Sequence, residues 1–99
     1  MENRAAIREA GGIPPLVALA GGGTDGQKEW AAFALGYLAL DAENRAAIRE
    51  AGGIAPLVAL AGGDSDQEKQ FAAYALGTLA GDDEDRAAVR EAGGIPPLV

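Results

Sequence analysis

The side chains that could do chemistry in this chain are acids, glycines and aromatic rings. There is no cysteine and no histidine among its 99 residues. Disulfides and cysteine metal sites are therefore impossible. The commonest general base, metal ligand and near-neutral pH switch is also missing. Three patterns still resemble working sites. Asp82-Asp83-Glu84-Asp85 is an acidic run of the kind that could gather calcium, but it lacks the glycine and the distal glutamate of an EF-hand loop. It falls where a helix should start, and there the macrodipole favours negative charge. Gly21-x-Gly23-x-x-Gly26 has the spacing of a dinucleotide fingerprint. That fingerprint works only behind a strand, in a βαβ unit. Here helical sequence precedes it, and the matching stretch later on reads Gly62-Gly63-Asp64-Ser65-Asp66-Gln67. An inter-helix loop is expected. Asp64, Asp66 and Glu68 bring carboxylates together around Ser65 with no partner base, and read as helix capping. No nucleophile–base pair stands out, so no enzyme activity, cofactor or metal is expected.

The elements that position these residues come from an internal repeat. Glu2 to Ile13, ENRAAIREAGGI, recurs unchanged at Glu43 to Ile54, and again at Glu84 to Ile95 with Asp85 and Val89 as its two changes. The period is 41 residues, and 2–42 matches 43–83 at 30 of 41 positions. Such a period belongs to two- or three-helix solenoid units. Each unit reads as three helices. A short first helix, as in Glu43 to Ala51, is capped by Asp41 or Asp82 and stopped by Gly11-Gly12, Gly52-Gly53 or Gly93-Gly94. A second starts at Ile13 with Pro14 and Pro15 in its first turn, carries Leu16, Val17, Leu19 and Ala20, and breaks at Gly21, Gly22 and Gly23. The third is the longest. Thr24-x-x-Gln27 and Ser65-x-x-Glu68 fit the capping box, and the helices run to about Ala39 and Ala80. Alone, helices of these lengths would be marginal in water. Stacking against a neighbour must hold them. Arg4, Arg8 and Glu9, with their copies, are expected on the solvated side of the first helix.

Period, helix order and the GGIPPLVALA stretch resemble the armadillo repeats. The resemblance covers essentially the whole chain. It is carried by Ile7, Gly11, Gly12, Ile13, Pro14, Pro15, Leu16 and Val17, then Ala31, Ala32, Ala34, Leu35, Leu38 and Ala39, with their copies. It implies an all-α fold, a right-handed α-solenoid of three-helix armadillo repeats, with the third helices lining a concave groove. It also implies binding of extended peptides or partner proteins there, without catalysis. The units are expected at 2–42 and 43–83, with a truncated third at 84–99.

The third helix carries two stripes. At about 100° per residue, Ala31, Ala34, Leu35 and Leu38 share one face, while Trp30, Phe33 and Tyr37 share another about 110° away. Ala72, Ala75, Leu76 and Leu79 repeat the first stripe; Phe71, Tyr74 and Thr78 repeat the second. All five aromatic residues of the chain lie on the second stripe. Because aromatic side chains dominate interface hot spots, Trp30, Phe33, Tyr37, Phe71, Tyr74 and Thr78 are the expected partner-binding residues. Armadillo repeats that bind peptides usually carry an asparagine on this helix to hold the peptide backbone. Tyr37 and Thr78 stand at the matching positions, and neither offers an amide. A flatter, apolar surface is expected, suited to a folded protein or a second copy of the chain.

Charge narrows the partners. The net charge is −7 and the pI about 4.3. Such a chain repels nucleic acids and anionic membranes and tolerates cationic partners. No apolar run approaches the roughly 20 residues needed to span a bilayer, and MENRAAIREA has no signal-peptide core. A cytoplasmic or purely recombinant location is expected. The chain opens on a first helix and stops inside a second, without visibly polar capping repeats, as a fragment of a longer array or an engineered set of near-identical units would. The expected behaviour is a scaffold that self-associates, as a homodimer through the aromatic stripe. The alternative is a groove that binds a separate protein or a basic extended peptide.

Overall fold

A computed structural model describes residues 3–63 and 65–91. Seven helices follow in order among them: α1 Asn3–Glu9, α2 Ile13–Gly22, α3 Asp25–Leu38, α4 Ala42–Glu50, α5 Ile54–Ala61, α6 Asp66–Leu79 and α7 Asp83–Glu91. No strand occurs among the described residues. The chain is an all-α solenoid in which α6 lies along α3 and α5 along α2. Asp64, the glycine stop at Gly93-Gly94 and the second-helix start at Ile95 fall outside the described residues.

The helix ends follow from local chemistry. Thr24 accepts from the Gln27 backbone N–H while the Gln27 side chain accepts from the Thr24 N–H, a complete capping box. Ser65 caps α6 by accepting from Glu68 N at 3.3 Å, and Asp41 caps α4 by accepting from Glu43 N at 2.9 Å. Gly52, at φ 79°, takes the left-handed turn that ends α4, a conformation costly for any residue with a Cβ. One expected break does not occur. α2 continues through Gly21 and Gly22, and only Gly23 leaves the helix, its N–H still bonded to the Leu19 carbonyl at 2.9 Å. Gly21 and Gly22 are exposed, and the roughly 1 kcal/mol per residue by which glycine disfavours a helix does not end α2 there.

The core is a thin layer of alanine and branched aliphatic side chains: Ala31, Ala32, Leu35, Leu38 and Ala39 of the α3 region, Ile48 of α4, Leu57 of α5, and Ala72, Ala75 and Leu79 of α6 are all almost fully buried. The two units meet most closely at Gly36. A Cβ there would come 2.5 Å from the Tyr74 ring and 3.1 Å from Ala75 Cα. The missing Cβ at Gly36 thus leaves the room into which the Tyr74 ring fits.

A polar seam runs beside this contact, and it corrects the expectation for the arginines. Arg8 is not a solvated residue of α1. Its guanidinium donates to Asn44 Oδ1 at 2.6 Å and to Glu43 at 2.8 Å, both in the next unit. Arg49, one period on, meets Asp85 at 2.8 Å and Glu84 at 2.9 Å. Arg45 donates to the Ala39 carbonyl at 2.8 Å and pairs with Asp82 at 3.2 Å. The same arginines answer the acidic run: Asp82, Glu84 and Asp85 are partners of α4, and Asp83 pairs with Arg86. Stacking brings each α4-type helix against the start of the next, so the charges of the repeat neutralise one another across the joint.

Matched substitutions test the close approach at Gly36. Gly36→Ala should destabilise the fold by about 1–3 kcal/mol through overpacking against Tyr74. Gly77→Ala, at the same position of the second unit, should stabilise it by about 0.5–1 kcal/mol, because a Cβ there meets nothing within 4 Å among the described residues. Urea unfolding of both variants checks the opposite signs.

Candidate partner-binding face

α3 and α6 run side by side, so their second stripes merge into one row of rings. Phe33 lies at the centre. Its ring centroid is 6.0 Å from Trp30 and 5.6 Å from Phe71, both edge-on, and 5.9 Å from Tyr74, stacked at 25°. Trp30 and Phe71 stack at 6.5 Å and 27°. Such offset and edge geometries suit the ring quadrupoles. The array is connected across both units yet remains in water: Trp30 is 67% exposed, Phe33 40% and Tyr74 38%. Phe71 is half-buried and braces the row against the core.

The remaining two expected residues stand apart from the row. Tyr37 is half-buried, packed on the core, with the Arg4 guanidinium 5.4 Å from its ring centroid. Thr78 is also half-buried, and its hydroxyl donates to the Tyr74 carbonyl one turn back at 2.9 Å. That hydroxyl is therefore committed to its own helix.

The surface beside the rings is apolar and open. α2 and α3 border a shallow groove of about 660 Å³, lined by Leu16, Leu19, Trp30, Phe33, Ala34 and Tyr37 among others. Leu16 and Leu19 were not expected to contribute. The reason lies in position along the array. Leu60, the counterpart of Leu19, is 5% exposed beneath the first unit, whereas Leu19 itself is 38% exposed. Ala34 likewise leaves the aliphatic stripe to line the groove, although its counterpart Ala75 is buried against α3.

Among the described residues, no group of acids is arranged to hold a metal ion, and no helix is long and apolar enough to cross a membrane.

Stacked three-helix units with a row of rings on the third helices define a helical-repeat scaffold. Among solved structures, a designed armadillo repeat protein in complex with the peptide (KR)4 is similar to this chain, with a TM-score of 0.89 and 30% identity over 96% of the chain. The chain has the armadillo-like repeat fold, and it spans 41% of the length of that designed protein. No protein-family model and no curated protein matches it.

The open groove makes a prediction about paired positions. Leu60→Ala should cost about 2–5 kcal/mol, as a buried leucine does. Leu19→Ala should stay within about 1 kcal/mol, because much of that side chain is already in water. Denaturant midpoints at unchanged slope would decide it.

Proposed function

We propose that this chain is a non-enzymatic protein-interaction scaffold whose third-helix face takes a basic, extended peptide or a basic segment of another protein. The observation that carries this reading is the four-ring array of Trp30, Phe33, Phe71 and Tyr74, with all but Phe71 exposed. Lysine and arginine are drawn to ring faces, at about 0.5–2 kcal/mol per contact. The chain's net charge of −7 favours the same partners over long range. The similar designed protein is in complex with (KR)4, an alternating lysine–arginine peptide. Without an asparagine at Tyr37 or Thr78, ring–cation contacts and the groove carry the binding in place of an amide clamp on the peptide backbone.

The same face supports a second reading, self-association as a homodimer. Trp30 is 67% exposed beside an apolar groove of about 660 Å³. A two-fold axis through this surface would set Trp30, Phe33 and Tyr37 of one copy against those of the other. A two-fold contact of this kind closes on itself and stops at two copies.

Trp30 is the sole tryptophan and reports on both readings. Titration with (KR)4 should change its emission saturably, and added salt should weaken the effect. Phe33→Ala or Tyr74→Ala should weaken binding about tenfold or more, as truncation of a hot-spot ring does. A flat titration of the monomer sinks the peptide reading. Light scattering tests the dimer: the mass should exceed one chain and fall to one chain when Trp30, Phe33 and Tyr37 are changed to serine. An assembly that survives those changes does not use this face.

A further inference from the structure

The two joints of the array share a side-chain position with different chemistry. At the first joint Asn44 is completely buried, and each of its polar atoms is used. Its Oδ1 accepts from Arg8, and its Nδ2 donates to the Arg4 carbonyl at 3.1 Å and the Leu38 carbonyl at 2.9 Å. At the second joint Asp85 stands in its place, also completely buried. Its Oδ1 accepts from Arg49 at 2.8 Å, as Asn44 accepts from Arg8. Its Oδ2 takes the place of the amide nitrogen. That atom is buried and has no hydrogen-bond partner among the described residues. The backbone around it is built alike: Asp41 N bonds the Leu38 carbonyl at 3.1 Å, and Asp82 N bonds the Leu79 carbonyl at 3.2 Å. The counterparts of the Arg4 and Leu38 carbonyls are those of Arg45 and Leu79, and from the repeat we infer that Oδ2 faces them.

We propose that Asp85 carries a proton on Oδ2 when α7 is docked, so that the second joint is a protonated-acid copy of the amide joint and loosens as pH rises. A carboxylate oxygen aimed at carbonyl oxygens has nothing to accept and repels them. Protonated, it donates, as the asparagine amide does. The charged groups around it pull in both directions. From α4, Arg49 bonds Oδ1 and Arg45 lies nearby, and both favour the carboxylate. Asp82, just before α7, opposes it, and Glu84 shares Arg49. α5 presents no titratable side chain. α6 presents its carbonyl end, and its acids Asp66 and Glu68 lie in its first turn, about 20 Å away along the helix. Burial is the largest influence, and it pushes the Asp85 carboxyl above the usual aspartate range despite Arg49. The folded chain then holds this proton more tightly than the unfolded chain does. The stability so gained is complete below the ordinary aspartate range and is lost as pH rises through the raised value.

Titration of the Asp85 carboxyl carbon by NMR reads the proton directly, and it should titrate above an ordinary aspartate. Asp85→Asn should raise the thermal midpoint near neutral pH by roughly 4–8 °C and remove the fall in midpoint through the Asp85 titration. Asn44→Asp should import the same pH dependence into the first joint. A carboxyl that titrates at or below the ordinary aspartate value overturns the proposal, as does an Asp85→Asn chain no more stable than the parent. An Asn44→Asp variant whose midpoint ignores pH also counts against it.

Discussion

Each unit of this chain has more apolar surface than three short helices can bury among themselves. The approach of α6 to α3 is what resolves this. That approach depends on Gly36, because a single methyl group there would meet the Tyr74 ring. From the contact follow the burial of Leu35, Leu38, Ala75 and Leu79, the alignment of the two third helices and the merging of their rings into one row. Stability of such an array is a sum over units and joints rather than the property of one central core. The alanine-rich core fits this architecture. Small side chains let helices approach closely, so thin layers can bury their atoms completely.

Polar groups set the joint's orientation where apolar ones set its closeness. A layer of alanine and leucine tolerates sliding, since its contacts are non-directional. Arg8 on Asn44, and Asn44 on the carbonyls of Arg4 and Leu38, permit one register only. Breaking any of these bonds would leave a buried polar group unmet, which costs about 1–3 kcal/mol. The ring row therefore stands on a base fixed in two senses, by steric fit at Gly36 and by hydrogen bonding at Asn44.

Much of this was legible in the sequence. The 41-residue period, the Thr24 capping box and the stop at Gly52 are local signals, and they appear as expected; at Ser65 the serine half of the expected capping box forms. The rings share a helical offset, so their common face could be read before the fold was known. What stayed hidden depends on which helix lies next to which. Arg8 and Arg49 look like surface charges until the following unit is placed against them. Asp85 looks like one more acid at a helix N-terminus, yet its side chain is buried. Leu19 and Leu60 have identical sequence surroundings, Leu-Val-Ala-Leu-Ala-Gly-Gly, yet Leu19 is 38% exposed and Leu60 5%. Gly21 and Gly22 misled because a breaker's local preference is weak, about 1 kcal/mol per residue.

The separate units have a consequence for how the chain finds its partners while folding. Every copy of the chain carries the same second unit, so the surface that receives α6 reads no information about which molecule supplied it. The second unit of one molecule can dock on the first unit of another through the same Gly36 contact, giving an exchanged pair with native joints throughout. Only the short connection at Leu40 and Asp41 favours the intramolecular choice, by holding the two units at a high effective concentration. Correct assembly in this array is thus a matter of tethering as much as of recognition, and protein concentration during refolding becomes a determinant of topology.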